Sequence, residues 1–511
     1  MRKYLCFVII LICMIVLGCS SEECTKEMCE SKYPCDVCEE LSKENCTDKY
    51  PCDVCEKCDE CLDWTEEECQ NKYPYQCNDW TEEECNNKYP CDVCEKCEEC
   101  LDWTEEECLN KYPQECPEWT KEQCDEKYPE EVKEPMQLGI DRIDEYLDLF
   151  EGKKVGLITN PTGINSNYEN SIDVLFEKVN LTALYAPEHG IRGDSQDGGT
   201  IGNEVDVKTN LIVHSLYGNT QKPTPSMLSD IDVMCFDIQD VGARFYTYIY
   251  TMAYAMEACA ENGKQFVVFD RPNPVSGDVV QGNILDTKYS SFIGLYPIVQ
   301  RHGMTVGELA RLFNTEFGIG CDLTVIKMAN YDRSSYYDDT NLPWVAPSPN
   351  MPTVKTAVVY TATCLFEGTN VSVGRGTTTP FELIGAPYIN PFDLADELNK
   401  LNLPGVYFRP AYFTPTFNNY ANVQCGGVQV HVTNRDEFLS VYTGFAMIKI
   451  IRTLYPNDFV INNAGAKKCT LNLNTGCDYI TKDRYSLDEL IDILATDEAA
   501  FKETRAKYLL Y

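Results

Sequence analysis

The chain has 511 residues, more than one ordinary domain holds, so two or three domains are expected. With 81 acidic against 43 basic residues its formal net charge is −38, which repels the phosphate backbone and anionic headgroups and argues against nucleic acid as a partner. The acidity and the cysteines share one place: Ser20 to Glu134 holds 37 acidic and 12 basic residues, and 22 of the 29 cysteines precede Glu131.

The N-terminus opens with Arg2 and Lys3, runs apolar from Leu5 to Leu17 and ends in Leu17-Gly18-Cys19-Ser20, the layout of a secretory signal peptide. The apolar run is short of the ~20 residues that span a bilayer. A cysteine straight after Leu-Gly resembles a bacterial lipobox. Residues 1–19 are therefore expected to be a lipoprotein signal peptide, with Cys19 the acylated first residue of an exported, membrane-anchored protein in the periplasm or on the cell surface. Ordinary cleavage nearby is the alternative. Acyl chains contribute ~0.8 kcal/mol per buried methylene, enough in combination to anchor the chain.

Residues 20–134 are repetitive. Tyr-Pro pairs begin at Tyr33, Tyr50, Tyr73, Tyr89, Tyr112 and Tyr128, and two module types alternate. Asp63-Trp64-Thr65-Glu66-Glu67-Glu68-Cys69 recurs at Asp79 to Cys85 and Asp102 to Cys108. Its Thr65 and Glu68 form a capping box ahead of Pro74, the pattern of one short helix. Cys52-Asp53-Val54-Cys55-Glu56-Lys57-Cys58-Asp59-Glu60-Cys61 recurs at Cys91 to Cys100. Such spacing also suits zinc or iron–sulfur clusters, but the repeat has no histidine and an exported chain meets oxidising conditions, so disulfides are expected. The segment has few aliphatic residues and needs cross-links to hold shape. It is expected to be a stiff stalk, or a segment that a protein partner binds.

From Met136 the composition becomes that of a globular protein. Apolar strands are expected at Lys154 to Thr159, Leu181 to Ala186, Asn210 to Ser215, Ile231 to Asp237 and Gln265 to Asp270. Helices are expected at Ile140 to Phe150, Ser171 to Val179 and Phe245 to Asn262. This alternation predicts an α/β fold, a Rossmann-like parallel sheet covered on both faces, over residues 136–345. Residues 346–511 read as a smaller α+β subdomain, with helices at Pro352 to Thr363, Phe392 to Leu401 and Leu439 to Tyr455, strands at Val406 to Phe413 and Gly427 to Thr433, and helix again from Ser486.

Polar residues gather where these strands end: Asn160, Glu188, His214, Asp237 with Gln239 and Asp240, and Asp270 with Arg271 and Asn273. Strand ends of an open α/β sheet form its binding crevice. No Gly-x-Gly-x-x-Gly follows the first strand and no Gly-x-x-x-x-Gly-Lys-Ser/Thr occurs, so no dinucleotide or nucleotide cofactor is expected. The four histidines His189, His214, His302 and His431 lack metal-ligand spacing, and no Gly-x-Ser-x-Gly marks a serine esterase.

Five motifs in order are more specific: Gly156 to Gly163 (Gly-Leu-Ile-Thr-Asn-Pro-Thr-Gly), Ala186 to Gly193 (Ala-Pro-Glu-His-Gly-Ile-Arg-Gly), Phe236 to Tyr248, Asp270 to Pro274 (Asp-Arg-Pro-Asn-Pro) and Phe366 to Asn370 (Phe-Glu-Gly-Thr-Asn). Together they resemble the NamZ family of exo-β-N-acetylmuramidases, from about Leu138 to the C-terminus and without the cysteine repeat. The resemblance implies two subdomains with a cleft between them, and release of terminal N-acetylmuramic acid from the non-reducing end of peptidoglycan fragments. It implies Glu188 as the catalytic glutamate, the acid that protonates the leaving oxygen. For the second group the candidates are Asp237 or Asp240, with Glu367 behind them. His189 either orients Glu188 or is structural. The lactyl carboxylate of the substrate calls for a guanidinium, and Arg192, Arg244, Arg271 and Arg375 stand in the motif loops. Asn160, Gln239, Asn273 and Asn370 complete the expected substrate-binding set; Tyr246 and Tyr248 either stack on a sugar or pack. The rival reading is a non-catalytic surface lipoprotein that binds glycans or partners through the repeat.

Overall fold

The computed structural model describes residues 134–188, 190–192, 204–466 and 468–511, all within the unit Lys133–Tyr511. The signal peptide, Cys19, the cysteine repeat and His189 lie outside the described residues.

Apolar runs build the first sheet from β1 (Val155–Thr159), β2 (Leu181–Ala186), β3 (Glu204–Val205), β4 (Ile212–Ser215), β5 (Val233–Asp237), β6 (Gln265–Phe269) and β7 (Asp322–Ile326). Their spatial order is β3-β4-β2-β1-β5-β6-β7; the two-residue β3 runs antiparallel along β4, and the other six are parallel. All five residues of β1 and of β5 are buried, as central strands covered on both faces should be. From β1 the chain winds outward through β2 to β4, then returns to β5 and winds the other way. The order thus reverses between β1 and β5, and the loops leaving these two strands diverge into a crevice.

Helices cover the sheet: α1 (Ser171–Lys178) and α2 (Tyr248–Asn262), where the spacing of apolar residues foretells them, and α3 (Val306–Glu316). Asn170 caps α1 by accepting the Ile172 amide, and Thr305 with Glu308 forms a capping box on α3. Helix α2 is buried along most of its length and ends on Gly263 at φ 61°, a left-handed position suited to glycine. The expected start at Phe245 is three residues early. The backbone at Ala243 and Arg244 pairs instead with the 300–301 segment, Arg244 N donating to Gln300 O at 2.7 Å, which holds it out of the helix. The first expected helix is a 3-10 helix, Ile140–Leu149.

The C-terminal half comprises α4 (Val354–Thr363), β8 (Leu383–Ala386), α5 (Pro391–Asn399), β9 (Val406–Phe413), β10 (Cys425–Val432), α6 (Ser440–Leu454), α7 (Thr470–Thr475) and α8 (Leu487–Arg505). Strands β8, β10 and β9 form a small antiparallel sheet in that order. Strand β8 was not expected, because a run of only four buried residues leaves no clear pattern. One hydrophobic cluster joins the halves: Val241, Ala243, Phe245 and Val275, from the loops beyond the first sheet, pack with Val359 and Phe366 and with Phe445 and Met447 of α6. The walls of the crevice therefore belong to the core of the second half. The seven described cysteines, all after Cys235 or at it, are buried free thiols.

Candidate active site

Strand β1 delivers Asn160 and a tight turn. Gly163 is needed there, because a Cβ would stand 2.0 Å from Thr159 Oγ1 and 3.1 Å from the Asp237 carbonyl. Asn160 Oδ1 accepts from the Thr162 amide at 2.9 Å and its hydroxyl at 2.5 Å; that same hydroxyl oxygen accepts from the Gln239 amide at 2.9 Å. The turns after β1 and β5 are thereby tied together. Strand β2 ends at Ala186, whose carbonyl accepts from Leu216 N, and two residues on stands Glu188, half-buried.

Tyr246 and Tyr248, whose rings meet edge to face at 5.1 Å, form the floor. Burial raises both phenols well above the usual range, and the Glu188 carboxylate pushes each further up. Tyr246 is also raised by Asp240 and lowered by Arg375, with Ser348 beside its hydroxyl. Three charges from three separate loops, Glu188 after β2, Asp240 after β5 and Arg375 after α4, thus act electrostatically on one phenol. The Tyr248 hydroxyl donates to Pro347 O at 2.6 Å, anchoring the floor to the second half.

Asp240 is 3 % exposed. Its Oδ2 accepts from the Gly242 amide at 2.7 Å and faces His302 Nε2 at 3.3 Å. His302 Nδ1 accepts from Met304 N at 3.2 Å, so in the neutral ring the proton sits on Nε2, which stands near the carboxylate without a hydrogen bond to it. Sequence reasoning passed over His302 because its partner lies far off in the chain and no local motif contains both. Arg375 reaches Glu367 through Nε and Nη2, both at 2.8 Å, and lies over the Phe381 ring at 5.1 Å. Phe381 has φ 63°, a strained value for a bulky residue that persists only where the surroundings over-determine it.

Other candidates are held in internal bonds. Asp237 is fully buried, paired with Arg271 Nε at 2.6 Å and Nη2 at 2.8 Å and bonded by the Ser171 hydroxyl, so it faces protein on every side. Arg271 Nη2 also donates to Ile164 O, leaving this guanidinium a strut between strand ends. Arg244 is buried and donates to the carbonyls of Asn283, Ile298 and Asn474; burial lowers its pKa to about 10. Asn273 bonds Met304 O and the Val275 amide, and Asn370 bonds Asp458 O, the Val460 amide and the Tyr388 hydroxyl. Arg192 grips Asp206 at 2.6 Å and Asp173 at 3.5 Å on the far edge by β3. His214 lies within β4, its ring against Tyr185 at 5.2 Å, rather than in the crevice.

Of the expected set, then, Glu188, Asp240 and Arg375 act electrostatically on Tyr246, Asn160 and Gln239 are joined through Thr162, and Glu367 pairs with Arg375, while the side chains of Asp237, Arg192, Arg244, Arg271, Asn273 and Asn370 bond other neighbours. Family models match both halves: exo-beta-N-acetylmuramidase NamZ, N-terminal, over residues 155–355, and exo-beta-N-acetylmuramidase NamZ, C-terminal, over residues 358–511. The chain belongs to the NamZ family. Every residue of the crevice falls inside the two NamZ regions. The chain is 52 % identical over 382 residues to the peptidoglycan beta-N-acetylmuramidase NamZ of Bacillus subtilis (strain 168), covering 74 % of this chain and 91 % of that one. Two solved structures of DUF1343 family proteins from Bacteroides fragilis NCTC 9343 share the NamZ architecture seen here. One has TM-score 0.68 and 38 % identity, the other 0.60 and 34 %; each match covers 74 % of this chain and 99 % of the other.

Proposed function

We propose that the protein is an exo-acting glycoside hydrolase that releases terminal N-acetylmuramic acid from the non-reducing end of peptidoglycan fragments. The observation that carries this is the match of both halves to NamZ and to a peptidoglycan beta-N-acetylmuramidase, with Glu188, Asp240 and Arg375 acting together on Tyr246 beside the switch point of the sheet. Glu188, half-buried and next to two phenols, is the acid that protonates the glycosidic oxygen. Asp240, held by the Gly242 amide with His302 close by, is the second group. Asp237 acts through Arg271 as a fixed post for the strand ends. Among the four arginines, Arg375 is the one set against the floor, and it takes the lactyl carboxylate. The rival of a non-catalytic binding lipoprotein has no support from the family match.

Incubating the soluble body with a chromogenic N-acetylmuramic acid β-glycoside tests the reading. Release of the chromophore by the wild type and its loss in Glu188→Gln are expected; no release, or equal release by both, overturns it. The same reading puts the enzyme outside the cytoplasmic membrane, tethered through an acylated Cys19, with the disulfide-linked segment of residues 20–134 as spacer. Mass spectrometry of the mature N-terminus checks this. An unmodified residue other than Cys19 would rule the anchor out.

A further inference from the structure

Of the six exposed aromatic side chains among the described residues, four, Phe392, Tyr407, Tyr412 and Phe417, belong to one part of the second half. Each is between 46 % and 60 % exposed. Soluble surfaces rarely gather large apolar side chains without a use for them. The stretch from Pro410 to Asn434 also contains no Lys, Arg, Asp or Glu, in a chain of which 24 % is charged. Its exposed polar residues are instead Thr414, Thr416, Asn418, Asn419, Asn422 and Gln424, all neutral hydroxyls and amides. The loop that carries them has a fixed shape. Asn418, Tyr420 and Asn422 hold φ values of 67°, 61° and 63°, while the Asn422 amide donates to Pro415 O at 2.7 Å and the Val423 amide to Tyr420 O at 2.9 Å. A tyrosine in the left-handed region is strained and is kept there by its surroundings.

This loop starts beside the crevice. Thr416 donates to Gly376 O through its amide at 3.1 Å and its hydroxyl at 2.9 Å, one residue from Arg375. From there aromatic rings continue outward over the small sheet. Tyr420 is half-buried on Leu383, Ala411 and Phe413. The Tyr388 hydroxyl donates to Asn370 Oδ1 at 3.0 Å, and its ring meets Tyr455 at 5.7 Å. Tyr455 in turn accepts from the Asn390 amide at 2.9 Å, and Asn390 caps α5 two residues before Phe392. Tyr412 stands opposite Gly426, where a Cβ would lie 2.3 Å from Ile389 O and 3.0 Å from Pro391 Cδ, so it shares the face on which α5 begins. The backbone edge of β9 is closed to strand addition: Asn399 accepts from the Phe408 amide and donates to its carbonyl, and Pro410 has no amide to offer. A partner therefore meets ring faces and neutral polar groups, with no β-ladder to extend and no charge to pair. A pyranose suits this, since its C–H face packs on an aromatic ring while the hydroxyls and amides at its rim bond Asn, Gln and Thr.

We propose that Tyr388, Phe392, Tyr412, Phe417 and Tyr420 form an accessory surface that holds a neutral polysaccharide strand, the glycan backbone of the cell wall, outside the crevice in which the bond is cut. The inference goes beyond the muramidase reading and takes from it only the identity of the strand. It makes the protein a binder of polymer, with one part of the wall held on the small sheet while a chain end is worked on elsewhere.

The test is co-sedimentation of the full-length protein with purified peptidoglycan sacculi stripped of anionic polymers, for the wild type and for the double variant Tyr412→Ala, Phe417→Ala. Neither side chain belongs to the catalytic set, so hydrolysis of the chromogenic glycoside and the melting temperature are expected to stay unchanged. Affinity for sacculi is expected to fall about tenfold, the worth of a lost aromatic anchor, and wild-type binding to persist at high salt. No sedimentation of the wild type, binding kept in the double variant, or binding abolished by salt overturns the proposal. So does a wild-type dimer in light scattering that the double variant dissociates, since a second copy would then be what covers the face. Should the double variant melt lower, Phe392→Ala, a separate position on α5, must show the same selective loss. The two readings fail differently. Hydrolysis of the glycoside without binding to sacculi sinks the surface alone, whereas binding that Tyr412 and Phe417 control, without hydrolysis, sinks the muramidase reading and leaves the surface standing.

Discussion

The strand ends of the first sheet divide into two regions of nearly equal polarity and opposite state. Around β5 and β6, Asp237, Arg271, Asp270 and Asn273 bond one another, backbone amides and the start of α3. Around β1, β2 and the turn after β5, Asn160, Gln239 and Asp240 each keep a buried atom without a partner among the described residues, and Glu188 stands half-buried where it acts on the phenols of Tyr246 and Tyr248. Both regions are dense in charge, so density alone does not mark a site. What separates them is whether each polar atom has found a partner inside the protein.

Substitutions that separate activity from stability sharpen this contrast. The largest effect is expected in the open region: Glu188→Gln should lower kcat for the chromogenic glycoside by ~10²–10⁴-fold, the usual worth of a positioned acid, with the melting temperature unmoved. An equal fall in melting temperature would erase the distinction between the regions. In the closed region the order is reversed. Arg271→Met strands Asp237 as a buried charge without its counter-ion, which costs about 3–5 kcal/mol and lowers the melting temperature by on the order of 10 °C in calorimetry.

Next comes a pH effect. Burial, and then the Glu308 carboxylate, push Asp270 up to about 7 from the usual 3.8. In the unfolded chain it ionises lower, so between those pH values folding takes up a proton and stability falls as pH rises. Asp270→Asn should flatten that slope in melting curves taken from pH 4 to 7. The smallest effect is expected at Arg192, whose hydrogen bond holds Asp206 well below the ordinary carboxylate range. That pair stabilises above the unfolded pKa of Asp206, and its contribution is lost as pH falls through the folded one. Arg192→Gln should cost about 1 kcal/mol at neutral pH and nothing in strong acid, as measured by urea unfolding.

Much of this was legible in the sequence. Central strands read clearly because β1, β2 and β5 are continuous apolar runs, and Glu188 stood out because a carboxylate directly after such a run sits at a strand end. Which acid is engaged was not legible. Asp237 and Asp240 are three positions apart in one motif, yet one meets Arg271 from the next strand and the other meets His302 from beyond it. Those pairings are made by the sheet order and by the 300–301 segment, neither of which leaves a local pattern. Arg244 misled for the same reason: its ligands are carbonyls from Asn283, Ile298 and Asn474, contributed by both halves.

The cluster that joins Val241, Phe245 and Val275 to Phe445 and Met447 bears on how this gene can be divided. The boundary between the two matched regions, at residues 356–357, looks like a seam, but it runs through α4, whose Ala357 to Thr363 are buried. A polypeptide ending there would present the lining of the crevice to water with nothing to pack against. Separately expressed fragments would have to find each other before either could acquire its final shape. In heritable terms the two halves are one module, and recombination at that seam should yield insoluble products rather than a transferable catalytic cassette.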